Sequence, residues 1–287
     1  VRGDGVQSLQ PTPLAPGPFP GPSSTDVDKK PLLRFLQFYQ QGTEHGTPVY
    51  NVNGLMVGPE ADVYPVHASR ANASTMTPQG PDDVFLRLWF EHAGWDHKSA
   101  LDVKVTLPDG SALAEADSNG SGATWSSGTP RPPALSCSRG VGKRGRLPPV
   151  VRVVLRYSIG MWTDSYKLDA SFRGSAALGR GAMLGGFGSN NEGKASINWT
   201  RNKNLQFDAV AQLKNGSKLL SQGLSTYGMG DSDPVGDSVD FPAAFSEVES
   251  FQIRYRDIRE AVYDNVRIPP EASLKAAMAT HPQEREA

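Results

Sequence analysis

Apolar and polar side chains alternate with a period of two along much of the chain. Val84, Leu86, Leu88 and Phe90 fall on one side of an extended segment, and Phe85, Arg87, Trp89 and Glu91 on the other, which looks only half wet. Leu101, Val103, Val105 and Leu107 alternate with Asp102, Lys104 and Thr106, and Pro108-Asp109-Gly110 then supplies a turn. The same period recurs at Val151, Val153, Leu155 and Tyr157, at Tyr166, Leu168, Ala170 and Phe172, at Ala195, Ile197 and Trp199, and at Phe251, Ile253 and Tyr255. Leu205, Phe207, Ala209, Ala211 and Leu213 form the cleanest run, and Lys214-Asn215-Gly216 after it predicts a type I′ hairpin turn. Val262, Val266 and Ile268 predict a closing strand with a bulge. Over residues 31–39 the apolar positions suit a strand or a short helix, and periodicity does not decide between them.

These segments are separated by turn signals, and no long amphipathic helix is present to make crossovers. The expected fold is all-β: two β-sandwich-like modules, mostly antiparallel, with one continuous sandwich as the alternative. Residues 1–30 hold six prolines and four glycines with few large apolar residues, which predicts a disordered linker. The first module is expected over 31–125, a basic Ser/Gly/Pro-rich loop over 126–149, and the second module over 150–270. Residues 271–287 are expected to be a frayed tail, with a short helix over 271–280.

Composition narrows the function classes. The 287 residues carry 29 Lys+Arg against 30 Asp+Glu, a balance that argues against a dedicated nucleic-acid binder. No apolar run is long enough to predict a membrane span. The single cysteine, Cys137, excludes a disulfide framework and any multi-cysteine metal site. No acidic residue lies between Asp117 and Asp164, where Arg131, Arg139, Lys143, Arg144, Arg146, Arg152 and Arg156 collect. Without aromatic residues interleaved at 139–146, this stretch reads as a solvated connection between sheets.

Four sets of residues suggest chemistry. His92 and His97, with Glu91 and Asp96 close by, could bind zinc at a strand end, although they lack the helical i, i+4 pairing of an HExxH site. Asp231, Asp233, Asp237 and Asp240 crowd hard oxygen ligands into one predicted loop, as calcium requires, although Val235 and Pro242 break the EF-hand pattern. Trp95, Trp125 and Trp162 fall near predicted loops and would form a glycan platform, whereas Trp89 and Trp199 read as core. The glycine-rich run from Leu178 to Gly188 lacks the Gly-Lys-Ser/Thr ending of a phosphate loop and reads as strand bends. No Gly-x-Ser-x-Gly elbow occurs, so the chain is not expected to be an enzyme.

Several segments carry a resemblance: Pro31-Leu-Leu-Arg-Phe-Leu, Val84-Phe-Leu-Arg-Leu-Trp-Phe, Leu101-Asp-Val-Lys-Val-Thr-Leu, Val153-Val-Leu-Arg-Tyr-Ser-Ile-Gly, Gly186-Phe-Gly-Ser-Asn-Asn-Glu-Gly-Lys-Ala, Phe207-Asp-Ala-Val-Ala and Phe251-Gln-Ile-Arg-Tyr-Arg. In this order the chain resembles a β-rich C-terminal region of planctomycete-like bacterial proteins. That region is appended to antirepressor-type membrane metallopeptidases or to sigma-factor-like regulators. The resemblance spans about residues 31–268 and departs at 125–149, where this chain is rich in Arg, Pro and Gly. No HExxH is present, so the peptidase's zinc ligands do not carry over. The resemblance implies a β-rich, extracytoplasmic or regulatory accessory region. The linker, the paired strand sets and the lack of a catalytic motif lead to the expectation of a non-catalytic sensory or interaction module of a larger protein, extracytoplasmic or membrane-tethered, with a cytoplasmic home as the alternative. Its expected partner is the rest of a larger polypeptide or another protein. A carbohydrate-binding accessory module and a metal-dependent hydrolase are the competing readings.

Overall fold

A computed structural model of the chain describes residues 28–39, 48–59, 83–96, 99, 101–113, 122–126, 134–143, 146–172, 174–227 and 235–270. The expected linker, apart from its last three residues, and the expected tail lie outside the described residues. Apart from one 3₁₀ turn at Phe245–Glu247, every regular element among the described residues is a strand, in antiparallel sheets. The all-β expectation holds.

The chain divides into two compact units. Described residues 28–159 and 259–270 belong to one, and Gly160–Ile258 forms the other. The discontinuous unit contains β1 (Leu32–Tyr39), β2 (Pro48–Asn51), β3 (Met56–Pro59), β4 (Asp83–Glu91), β5 (Leu101–Thr106), β6 (Gly122–Ser126), β7 (Ala134–Lys143), β8 (Val150–Tyr157) and the last strand, β18 (Arg259–Arg267). One sheet runs β3-β2-β1-β4-β7-β6 and the other β18-β8-β5. Val84, Leu86, Leu88 and Phe90 of the first share an apolar cluster with Val103, Val151, Val153, Leu155 and Val266 of the second, which makes this unit a sandwich. The pairing of β8 with β18 places Tyr157 opposite Arg259. All of Gly160–Ile258 is therefore inserted between neighbouring strands of one ladder. β8 and β18, which the local pattern groups with the second module, both pair within this first unit.

Residues 31–39 are strand β1. Between Leu33 and Phe35 the register on β4 slips, because Leu33 faces Phe90 and Phe35 faces Trp89. Arg34 is the extra residue of a bulge, and its Nε donates to Glu91 Oε2 at 3.1 Å. The bulge is why Leu33, Leu36 and Phe38 share the core despite unequal spacing.

The loop expected over 126–149 needs correction. Residues 134–143 are β7, which pairs with β4 on one side and β6 on the other. Small residues in Ala134-Leu-Ser-Cys-Ser-Arg-Gly give no clear alternation, yet the strand is central and Cys137 is buried. Part of the basic stretch is matched by acids across the ladder. Arg152 Nε lies 3.3 Å from Asp264 Oδ1, and Arg156 is in register between Asp102 and Glu260.

The second unit contains β9 (Thr163–Asp169), β10 (Ala176–Gly179), β11 (Ala182–Ser189), β12 (Lys194–Arg201), β13 (Leu205–Leu213), β14 (Lys218–Leu220), β15 (Gln222–Tyr227), β16 (Val235–Ala244) and β17 (Val248–Asp257). Its sheets run β10-β11-β12-β16-β15 and β14-β13-β17-β9. Ile197, Trp199, Val239 and Phe241 of one sheet join Phe207, Ala209, Phe251 and Ile253 of the other in a single core, again a sandwich. Aromatic rings knit it: Phe251 lies 5.4 Å from both Phe187 and Phe241, and Phe207 lies 5.5 Å from Tyr255.

Lys214-Asn215-Gly216 does close a hairpin, but not as a type I′ turn. Type I′ needs positive φ at both central residues, and here only Gly216 has it, at +87°. Leu213 N donates to Ser217 O at 2.8 Å and Gly216 N to Leu213 O at 2.9 Å, the pattern of a type I turn with a glycine bulge. The same bonds recur around Gly54, Gly110 and Gly193. Positive φ at two successive central residues occurs instead at Arg180-Gly181, +49° and +79°, between the paired Gly179 and Ala182.

The segment before β1 is stitched to β18. The Tyr263 hydroxyl donates to Pro31 O, Lys30 Nζ donates to Val262 O, and Arg259 Nη1 donates to Asp28 Oδ1 at 3.3 Å. Burial, and secondarily the neighbouring Tyr157, push the Tyr263 phenol well above its ordinary value of 10.0. A raised folded-state value means that the unfolded phenol ionises first. The stabilisation is complete below the ordinary value and is lost progressively as the pH rises above it. Urea midpoints at about pH 8 and about pH 11 should therefore fall further in the wild-type protein than in Tyr263→Phe. An equal fall in both would contradict the assignment.

Candidate functional site

The sheet containing β13 and β17 has an unusual second face. Phe207, Ala209, Phe251, Ile253 and Tyr255 point into the core, so Gln206, Asp208, Arg254 and Arg256 point the other way. They are matched in register, Asp208 opposite Arg254 and Gln206 opposite Arg256. Asp208 Oδ2 accepts from Arg254 Nε at 3.1 Å and Nη2 at 2.6 Å, and its Oδ1 accepts from Ser221 Oγ at 2.6 Å. Arg256 donates from Nε to Gln206 Oε1 at 2.8 Å and from Nη1 to Gly160 O at 3.2 Å. Trp162 joins the row: the Arg256 and Arg254 guanidinium carbons lie 4.2 and 4.8 Å from its ring centroid. Gln206, Asp208 and Arg256 are all buried.

This row is the densest polar cluster among the described residues of the second unit. Its chemistry is that of a brace. A serine is activated by a base that can take its proton, and Ser221 faces a carboxylate whose charge is already held by Arg254. The row ties Gly160 and Trp162, where the chain enters this unit, to Arg254 and Arg256, where it leaves.

Asp237 belongs to a second buried network. The segment 231–240, expected as an acidic loop, is strand from Val235 onward. Asp237 is fully buried and forms an ion pair with Arg201, whose Nη2 donates to its Oδ1 at 3.3 Å, while Trp199 Nε1 donates to its Oδ2 at 3.3 Å. Asp240 is three positions along the same strand and faces the other side, in register with Ser196 and Gln222. Asp237 and Asp240 are therefore not brought together. Asp231 and Asp233 lie outside the described residues.

In the first unit, His92 is also occupied. Gly94 N donates to its Nδ1 at 2.8 Å, which leaves the proton on Nε2, facing Lys29 O at 3.0 Å. Its ring stands edge-on to Trp95 at 5.7 Å. Trp95 is buried, donates from Nε1 to Phe90 O at 2.9 Å, and packs edge-on against Tyr157. It serves the core rather than a platform. Trp89 and Trp199 are core, as their strand positions predict. Trp125 falls on strand β6, and Trp162 is half-buried under two guanidinium groups. His97 lies outside the described residues. Among the described residues, no three His, Cys, Asp or Glu side chains are arranged to hold a metal ion.

Nothing in the sequence pattern singles out Gln206, Asp208, Ser221, Arg254 or Arg256. Alternation assigns them to a wet face, and only the facing of an acid on one strand by an arginine on its partner would have flagged them. No family model matches the chain, and no curated protein matches it. No helix among the described residues is long and apolar enough to cross a membrane.

Removing Asp237's charge leaves Arg201 buried without its counter-ion. Asp237→Asn should cost about 3–5 kcal/mol in denaturant unfolding, and replacing both residues by apolar ones should cost less. A loss under about 1 kcal/mol, the scale of an exposed pair, would show the bridge to be superficial.

Proposed function

We propose that this chain is a non-catalytic sensory or interaction module of a larger bacterial protein, membrane-associated or regulatory, as its resemblance implies. The observation carrying this reading is where the reactive side chains are spent. His92 uses both ring nitrogens on backbone groups, Asp237 is neutralised by Arg201, and Ser221 donates to a carboxylate already paired with Arg254. Each holds strands together rather than lining a reaction centre.

A protein partner is favoured over a glycan by the surface at β3. This strand ends its sheet among the described residues, and beside it Leu55, Met56 and Val57 are 64%, 68% and 48% exposed. Three adjacent exposed apolar residues at the edge of this sheet suit pairing with another polypeptide.

A photo-crosslinking residue at position 56 of the full-length protein, in the cells that make it, should give a discrete polypeptide adduct. That adduct should disappear when Leu55 and Val57 are changed to Asp. Turnover of an ester, glycoside, phosphoester or peptide substrate that is abolished by Ser221→Ala or His92→Gln would overturn the proposal.

A further inference from the structure

Two Asn-Gly pairs, each with an exposed asparagine, close hairpins with the same backbone hydrogen bonds. In the β13–β14 turn, Leu213 N donates to Ser217 O at 2.8 Å and Gly216 N to Leu213 O at 2.9 Å. In the β2–β3 turn, Asn51 N donates to Leu55 O at 2.9 Å and Gly54 N to Asn51 O at 2.9 Å. Gly54 and Gly216 carry the positive φ, +77° and +87°. Asn53 and Asn215 occupy the same position of the same turn, and both are exposed.

Their side chains are not held alike. Asn215 Oδ1 accepts from Ser217 N at 2.9 Å, which fixes the carboxamide over the turn. In the other hairpin the equivalent backbone group, Leu55 N, donates instead to Asn51 Oδ1 at 3.1 Å, and Asn53 N donates to that same oxygen at 2.9 Å. Asn51 has taken the bond from Leu55 N that would hold the Asn53 carboxamide. Among the described residues, nothing hydrogen-bonds the Asn53 carboxamide. Arg267 N does donate to Val52 O at 3.2 Å, but this restrains the peptide before Asn53, not its side chain.

We propose that Asn53-Gly54 is a site of spontaneous backbone modification in the folded protein, and that Asn215-Gly216 is protected. The following amide nitrogen, Gly54 N, attacks Asn53 Cγ. It forms the N–Cγ bond of a five-membered succinimide as the Cγ–Nδ2 bond breaks, and its proton passes to solvent base. The side-chain nitrogen leaves as ammonia. Water then opens the ring at either carbonyl, giving aspartate or isoaspartate. The net change is one water consumed and one ammonia released, with no oxidant or reductant. Glycine favours the attack because it has no Cβ to block it. Asn215 must first break its bond to Ser217 N before its Cγ can turn toward Gly216 N.

The product matters because of where Asn53 lies. An isoaspartate adds a methylene to the main chain within the turn that sets Val49 opposite Gly58 and Tyr50 opposite Met56. Either product adds a negative charge beside Leu55, Met56 and Val57.

The test is peptide mapping by mass spectrometry of the intact folded protein, incubated in mildly alkaline buffer beside a sample kept in urea. In urea the two sites should convert at similar rates. In the folded protein, conversion at Asn53 should exceed that at Asn215 by about fivefold or more, the equilibrium factor carried by one net hydrogen bond. Equal rates in the folded protein, or faster conversion at Asn215, would overturn the proposal. So would folded protein that stays unmodified at Asn53 while the urea sample is consumed.

Discussion

The ladder between β8 and β18 sets Tyr157 opposite Arg259, and the organisation of the chain follows from that pairing. Opposed residues of an antiparallel ladder have Cα atoms about 4.5–5.5 Å apart. Everything from Gly160 to Ile258 must leave and return through that gap. An unfolded segment of this length would cost about 4 kcal/mol of closure entropy. The inserted unit removes that cost by holding its own ends together. Thr163 is paired with Tyr255 across β9 and β17, and Arg256 reaches Gly160 O.

This requirement explains where the buried polar groups are. Buried Arg256, Asp208 and Gln206 cluster with half-buried Arg254 and Trp162 where the inserted unit's chain begins and ends; burial there is tolerable because Asp208 is paired with Arg254 and Arg256 is hydrogen-bonded to Gln206 and Gly160 O. Arg201 and Asp237 follow the same rule within the core of that unit. His92, Tyr263 and Arg259 similarly tie residues 28–31 to the first unit. These polar side chains bridge neighbouring strands and chain ends.

The sequence made the fold class legible because a half-buried strand writes its burial into every second residue, as at Val150–Tyr157 and Lys194–Arg201. It failed where that rule fails. β1 was ambiguous because the bulge at Arg34 shifts the phase. β7 was hidden because serine and glycine carry too little hydrophobic contrast. The Asn215-Gly216 turn is placed correctly by its dipeptide but is a type I turn with a glycine bulge, since Asn-Gly serves either turn and only Gly216 has positive φ. Among the candidate site residues, Asp237 is paired with Arg201, His92 accepts from Gly94 N, and Trp95 donates to Phe90 O. The buried row on β13 and β17 was not foreseen, because alternation marks such positions as wet. The pairing of β8 with β18 left no local trace at all, since its partners are separated by the whole inserted unit.

The most direct measurement is the folding of Gly160–Ile258 produced on its own. A unit with its own core and its own clasped ends should give dispersed amide NMR signals and a single cooperative urea transition. A fragment that stays unfolded until residues 150–159 and 259–270 are added would contradict the account, because the second sandwich would then depend on the β8–β18 ladder for its core.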